Sequence, residues 1–128
     1  MFEIVDDGEL SLTATVDCEY PLKGNKKKLI AFDIEFDRPE GDALTDLLNA
    51  ARMSDIRAIG SFVRGHVVGW TNFNDAKGVA IQFNAENLEQ VSRDSALTVA
   101  VGAAITNAVN GGAKAKNSSA RRVGTQKS

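Results

Sequence analysis

Apolar and polar positions alternate without a break from Leu10 to Tyr20. Leu10, Leu12, Ala14, Val16, Cys18 and Tyr20 fill the even positions, and Ser11, Thr13, Thr15, Asp17 and Glu19 the odd ones. A period of two over this length predicts a strand with one buried face. Pro21 to Asn25 supplies turn residues, including the pair Gly24-Asn25. Alternation then resumes, with Ile30, Phe32, Ile34 and Phe36 on one face and Asp33 and Glu35 on the other. Two such runs joined by a short polar connection predict an antiparallel hairpin.

After Asp37 the period changes. Pro39 suits a helix start, where its missing N–H costs nothing. Leu44, Leu47, Leu48 and Ala51 follow at i, i+3, i+4 and i+7, one face of a helix. Ser54 is placed to cap a second helix carrying Ile56, Ile59 and Val63. Near His66 the chain turns strand-like again, through Val67-Val68-Gly69-Trp70. The turn cluster Asn74 to Gly78 and the alternating Val79, Ile81 and Phe83 then predict a second hairpin. Asn84 is placed to cap a short helix with Leu88 and Val91, and Ser92 to cap a longer one. In that last helix Leu97, Val101, Ala104, Ile105 and Ala108 share a face, and Gly111-Gly112 stops it. The expectation is an α+β domain over residues 1–112, with two β-hairpins and three to four helices. Residues 113–128, polar, basic and without apolar periodicity, are expected to be a flexible, disordered tail.

Composition agrees with one folded domain. The 128 residues are 43% apolar and 25% charged, enough for one core and too short for two ordinary domains. A net charge of −2 favours neither wholesale nucleic-acid binding nor membrane adsorption. No stretch approaches the roughly 20 apolar residues of a bilayer span, and the acidic N-terminus lacks the basic and apolar regions of a secretory signal. The total hides an asymmetry. All 17 acidic residues lie at or before Asp94, whereas Lys114, Lys116, Arg121, Arg122 and Lys127 follow it without an acid.

Candidate chemistry is sparse. Cys18 is the only cysteine, so no internal disulfide forms, and a reducing cytosol is the simplest compartment. Its place in the buried register marks a core thiol. His66 is the only histidine, and no neighbouring acid and nucleophile complete a triad, so an ordinary strand or loop histidine is expected. One Cys and one His write no zinc site. Asp33, Glu35 and Asp37 form an acidic strand face without the glycine-punctuated ligand loop of a calcium site. Lys26-Lys27-Lys28 lacks aromatic neighbours to stack bases, and no Gly-Lys-Ser/Thr loop cradles a phosphate. The reading is a non-enzymatic binding protein with no cofactor and no metal.

The second half carries an ordered set of motifs. Val67-Val68-Gly69-Trp70 leads to a turn ending in Gly78, then Val79-Ala80-Ile81-Gln82-Phe83. Asn84-Ala85-Glu86-Asn87-Leu88 opens a helix, an alanine-rich helix follows, and Lys114-Ala115-Lys116-Asn117 closes the series. Ile34-Glu35-Phe36-Asp37-Arg38-Pro39 adds a looser match, so that about residues 29 to 117 take part. In this order the chain resembles the tail assembly chaperones of long-tailed (siphovirus-like) bacteriophages. The resemblance implies a partner, the long helical tape-measure protein, kept soluble until the tail tube assembles around it. It implies action in the host cytoplasm and absence from the mature virion. It also implies a second partner, a longer form of the same protein made by programmed frameshift; Ala115-Lys116-Asn117 can be encoded GCA-AAA-AAC, which contains a slippery heptamer.

Trp70 is either a core anchor or an interface anchor. Leu97, Val101 and Ile105 on the alanine-rich helix are the other candidate partner contacts, unless that face packs on the protein's own sheet. Self-association as a homo-oligomer is compatible with the same surfaces. A small structural or tail-completion protein of the virion is the alternative reading. A nucleic-acid-binding regulator using Lys26 to Lys28 and the basic tail is a further one, against which the acidic body argues.

Overall fold

The computed structural model describes residues 11–111. Strand β1 (Ser11–Pro21) pairs antiparallel with β2 (Lys27–Asp37), from Ser11 opposite Asp37 to Pro21 opposite Lys27. The reversal between them is a short 3₁₀ turn, Lys23–Asn25. Gly24 and Asn25 there take φ of 69° and 62°, the left-handed region that Gly and Asn enter at least cost. Along β1 the even residues turn inward, Val16 and Cys18 fully so, while Thr13, Thr15, Asp17 and Glu19 face solvent. The first predicted hairpin is thus present in the predicted register; Leu10 lies outside the described residues.

The second strand pair differs from expectation in its partners. Strand β3 (Val67–Thr71) runs antiparallel along the other side of β2, giving the order β1-β2-β3. A bulge between Glu35 and Phe36 separates the pair Glu35–Gly69 from Phe36–Val67. Val79 to Phe83 adds no strand to the sheet; it folds back in antiparallel register on residues 73–75, Ala80 bridging Asn74 while Asp75 donates its amide to the Val79 carbonyl and Ile81 to the Phe73 carbonyl at 2.8 and 2.7 Å. Asn72 takes φ of 61° and ends β3. Phe73 then turns inward to stack on Phe32, ring centroids 4.1 Å apart.

Four helices cover the inward face: α1 (Gly41–Arg52), α2 (Ile56–His66), α3 (Ala85–Arg93) and α4 (Ser95–Thr106). Residues Asn107–Gly111 extend α4 as a π-helical turn. Gly112 and the basic tail lie outside the described residues, as do residues 1–10. Each cap has a local cause. Asn84 accepts the Asn87 amide at 2.8 Å, as predicted. Ser54 does not cap α2, because its φ of 55° makes it the left-handed link from α1; Asp55 accepts the Ala58 amide instead. Nor does Ser92 cap α4. It is buried within α3, and Asp94, the single residue between the two helices, accepts the Leu97 amide at 3.0 Å.

The core lies between sheet and helices. Val16, Phe32, Ile34 and Phe36 meet Leu47 from α1, Ile59 and Val63 from α2, Val91 from α3, and Val101 and Ile105 from α4. Each fully buried side chain of this size stabilises the fold by about 1.5–3 kcal/mol. The two buried hydroxyls are satisfied: Ser92 donates to the Glu89 carbonyl and Thr98 to the Val91 carbonyl, both at 2.8 Å. Two glycines are set by packing: a Cβ on Gly102 would stand 2.8 Å from Ile59 Cγ2. A Cβ on Gly60 would stand 2.3 Å from the Ser92 carbonyl oxygen, so α2 and α3 cross at backbone contact.

Candidate partner-binding groove

Beyond the β1–β2 turn, the sheet and the 72–81 loop leave an open groove of about 490 Å³. Leu22, Leu29, Ile30, Phe73, Ile81 and Leu97 supply its apolar lining, with Tyr20, Lys28, Asn72 and Asp75 among the polar residues. Leu29 is 75% exposed and Leu22 48%, an unusual display for leucine beside a well-formed core. The walls are held from several sides. Trp70 donates its indole N–H to the Ile81 carbonyl at 2.8 Å, and stands edge-on to Phe73 and to Phe83 at 5.1 and 4.8 Å. Asp75 accepts the amides of Lys77 and Val79, closing the loop on itself. Tyr20 hydrogen-bonds the Asp94 carboxylate and so ties the end of β1 to the start of α4. That bond raises the Tyr20 phenol above its ordinary value, the nearby negative charge adding to it.

The four predicted contact residues part company here. Leu97 is half-buried and lines the groove. Trp70 is half-buried and braces its wall, serving both as packing anchor and as partly open aromatic. Val101 and Ile105 are removed from the candidate list: they are 1% and 0% exposed, packed inside the protein's own core. The helical face they share is apolar, and it packs on the protein's own core. The solvent side of α4 carries Ala96, Val99, Ala100 and Ala103 instead.

Other predicted features find different places. His66 ends α2 and does not begin a strand; its ring stacks on Phe62 at 4.0 Å, and Nδ1–H donates to the Phe62 carbonyl. Cys18 is buried at 3% exposure, and burial first, then the Asp94 charge, raises its thiol pKa. Asp33, Glu35 and Asp37 lie on the solvent face of β2; Asp33 accepts from Thr15 and Asn72. Among the described residues no group of three or more His, Cys, Asp or Glu is placed to hold a metal ion, and no helix is long and apolar enough to cross a membrane. Lys26 and Lys28 stand exposed at the turn, and Lys27 pairs with Glu19 at 3.2 Å.

Two features escaped the sequence reading. Leu22 and Leu29 flank the lysine-rich turn, and Leu29 is the one large apolar residue on the odd face of β2, which otherwise carries Lys27, Ala31, Asp33, Glu35 and Asp37. That exception was the available signal. The second is a cleft of about 670 Å³ between α2 and α3, lined by Ile56, Arg57, Arg64, Glu89, Ser92 and Arg93. Arg57 and Arg64 are seven apart in the sequence, hence on one helical face, a spacing that points to it.

Compared with known proteins, the chain matches no family model, no curated protein and no solved structure.

Proposed function

We propose that this protein binds and shields a helical segment of another protein, acting as a phage tail assembly chaperone toward a tape-measure protein. The observation that carries the reading is the groove between the β1–β2 turn and the 72–81 loop, with its exposed leucines. A long amphipathic helix released in water self-associates through its apolar stripe unless that stripe is covered. An open apolar groove accepts such a stripe through side chains at i, i+3, i+4 and i+7. Several weakly bound copies along one long helix keep it soluble and still allow release. The ordered motifs from Val67 to Asn117 supply the tape-measure partner, by resemblance.

Co-expression with the protein encoded immediately downstream tests the proposal. A tape-measure partner moves into the soluble fraction with the wild-type chain and co-purifies with it. An equally insoluble partner with and without the chain refutes the reading. Abundant presence of the chain in purified mature particles refutes it as well, in favour of a structural tail component.

A further inference from the structure

We infer that the outer edge of β1 is a self-association site, where two copies of the chain pair antiparallel about a two-fold axis at Thr15 and join their sheets into one. In the order β1-β2-β3, β1 is an edge strand, and no described residue pairs with its outer side. Its 11 residues pair with β2 without a bulge. The Leu22 amide donates to the Lys26 carbonyl at 2.8 Å, and these two residues continue the ladder register. Hydrogen-bonded pairs alternate along an antiparallel ladder, so the even residues of β1 turn their N–H and C=O groups to β2. The odd residues Ser11, Thr13, Thr15, Asp17 and Glu19 turn theirs outward. Such an edge is a template for another strand unless charge, proline, a bulge or a cover blunts it. Here the one proline, Pro21, stands at the very end, and the two charges, Asp17 and Glu19, share one half of the strand.

The helix beside this edge suits the same contact. From Ser95 to Asn110, α4 and its π-helical extension hold no charged residue. A helix apolar all round is ordinarily buried all round, yet Val99 is 45% exposed and Ala103 is exposed too. One open cleft of about 550 Å³ is lined by Asp17, Cys18 and Glu19 of β1 together with Ala96, Val99 and Ala103 of α4. The bare side of α4 and the strand edge therefore open in the same direction. A two-fold axis perpendicular to the sheet keeps both copies of α4 on one face and turns their bare sides toward each other. Small side chains there let the two helices approach closely.

Charge selects a second copy as the occupant and sets its register. The odd positions of β1 carry hydroxyls in one half, Ser11, Thr13 and Thr15, and carboxylates in the other, Asp17 and Glu19. Antiparallel pairing about Thr15 sets Asp17 opposite Thr13 of the second copy and Glu19 opposite its Ser11, so every carboxylate meets a hydroxyl. The chain already makes this contact across β1 and β2, where Thr15 donates to Asp33 at 2.8 Å. The two copies of Asp17 then stand four residues apart, about 14 Å, beyond the screening length of about 10 Å at 0.1 M salt. An axis at Asp17 would set that residue against its own copy, which like charges oppose. An axis at Val16 would set Ser11 opposite Pro21, which has no N–H to donate. None of these residues lines the leucine groove, so the inference does not depend on the chaperone reading.

Sedimentation of the full chain, with amide hydrogen exchange on the same samples, tests the inference. The wild type is expected to sediment at twice the mass of the chain. Its Thr13, Thr15 and Asp17 amides are expected to exchange slowly in the dimer and fast once dilution yields the monomer. Thr15→Lys supplies the variant. Within one chain the lysine stands opposite Asp33, where the charges attract, and across the axis it meets its own copy. It is expected to keep the urea midpoint of the wild-type monomer and to weaken the dimer at least about tenfold. A wild type that sediments only as monomer with fast outward amides overturns the inference. So does slow exchange in a sample that sediments as monomer, which would assign the edge to a cover within the chain. A dimer whose Thr13 and Asp17 amides exchange fast overturns it in favour of another contact surface. A Thr15→Lys dimer as tight as the wild type, or tighter, overturns the axis at Thr15.

Discussion

Gly60→Ala isolates the closest approach in the fold. The added Cβ would sit 2.3 Å from the Ser92 carbonyl oxygen, a backbone atom with no rotamer to yield. Reaching ordinary van der Waals contact requires α2 and α3 to separate by about 1 Å, which loosens Ile59 and Val63 against Val91. Overpacking of this kind costs about 1–3 kcal/mol. Replacing glycine by alanine inside a helix returns roughly 0.5–1 kcal/mol. The net expectation is a loss of about 1–2 kcal/mol, with Tm falling by roughly 4–8 °C per kcal/mol for a domain of this size. Gly65→Ala in the same helix is the control, because nothing lies within 4 Å of its new Cβ. That variant should be neutral or more stable by a few tenths of a kcal/mol, being near the helix end. Urea titrations of the three proteins decide the matter. A Gly60→Ala protein as stable as Gly65→Ala would refute the packing argument, and with it the geometry of the arginine cleft.

Ile105→Ala should cost about 2–5 kcal/mol in the same assay, since the side chain is fully buried; a change under 1 kcal/mol would return this residue to the surface candidates. Cys18 should resist a thiol reagent in the native state, its labelling rate rising with urea, because the thiol is buried and its raised pKa keeps it protonated; fast native labelling contradicts the strand register. For Tyr20 the folded pKa exceeds the unfolded value of about 10, so its contribution to stability is complete below that pH and is lost as the pH rises through the raised value. Tyr20→Phe should therefore lose less stability than wild type on going above pH 10; equal alkaline losses would show that the Asp94 contact is not formed in solution.

Legibility in the sequence followed the amount of burial. Residues 12 to 20 and 30 to 36 were readable because every second side chain points into one core, and a slip of one residue would have turned Val16, Phe32 and Phe36 to water. The segment 79–83 shows the same period of two for another reason. Ile81 packs on the core and Phe83 stands edge-on to Trp70, while Val79 remains exposed, so the alternation there records packing around Trp70 and a short turn-back on residues 73–75, with no strand added to the sheet. Caps misplaced at Ser54 and Ser92 share a cause: an aspartate next along or two residues on competes for the same role, and backbone conformation or burial decides. The candidate site was harder. Periodicity finds apolar faces without saying what covers them, which is why Val101 and Ile105 looked like contacts, while Leu22 fell within the turn residues and Leu29 outside the alternating pattern.

The most direct measurement is solubility of the helical partner beside groove variants that leave the fold intact. Leu29→Lys is the variant of choice, since the residue is 75% exposed and lies across the ladder from Glu19, so that a lysine meets an opposite charge and should change stability by no more than about 0.5 kcal/mol. The account predicts that wild-type chain keeps the downstream-encoded partner soluble in co-expression, and that Leu29→Lys, equally folded by urea titration, leaves it in the pellet. A partner held soluble equally well by both proteins would contradict the groove as the binding surface.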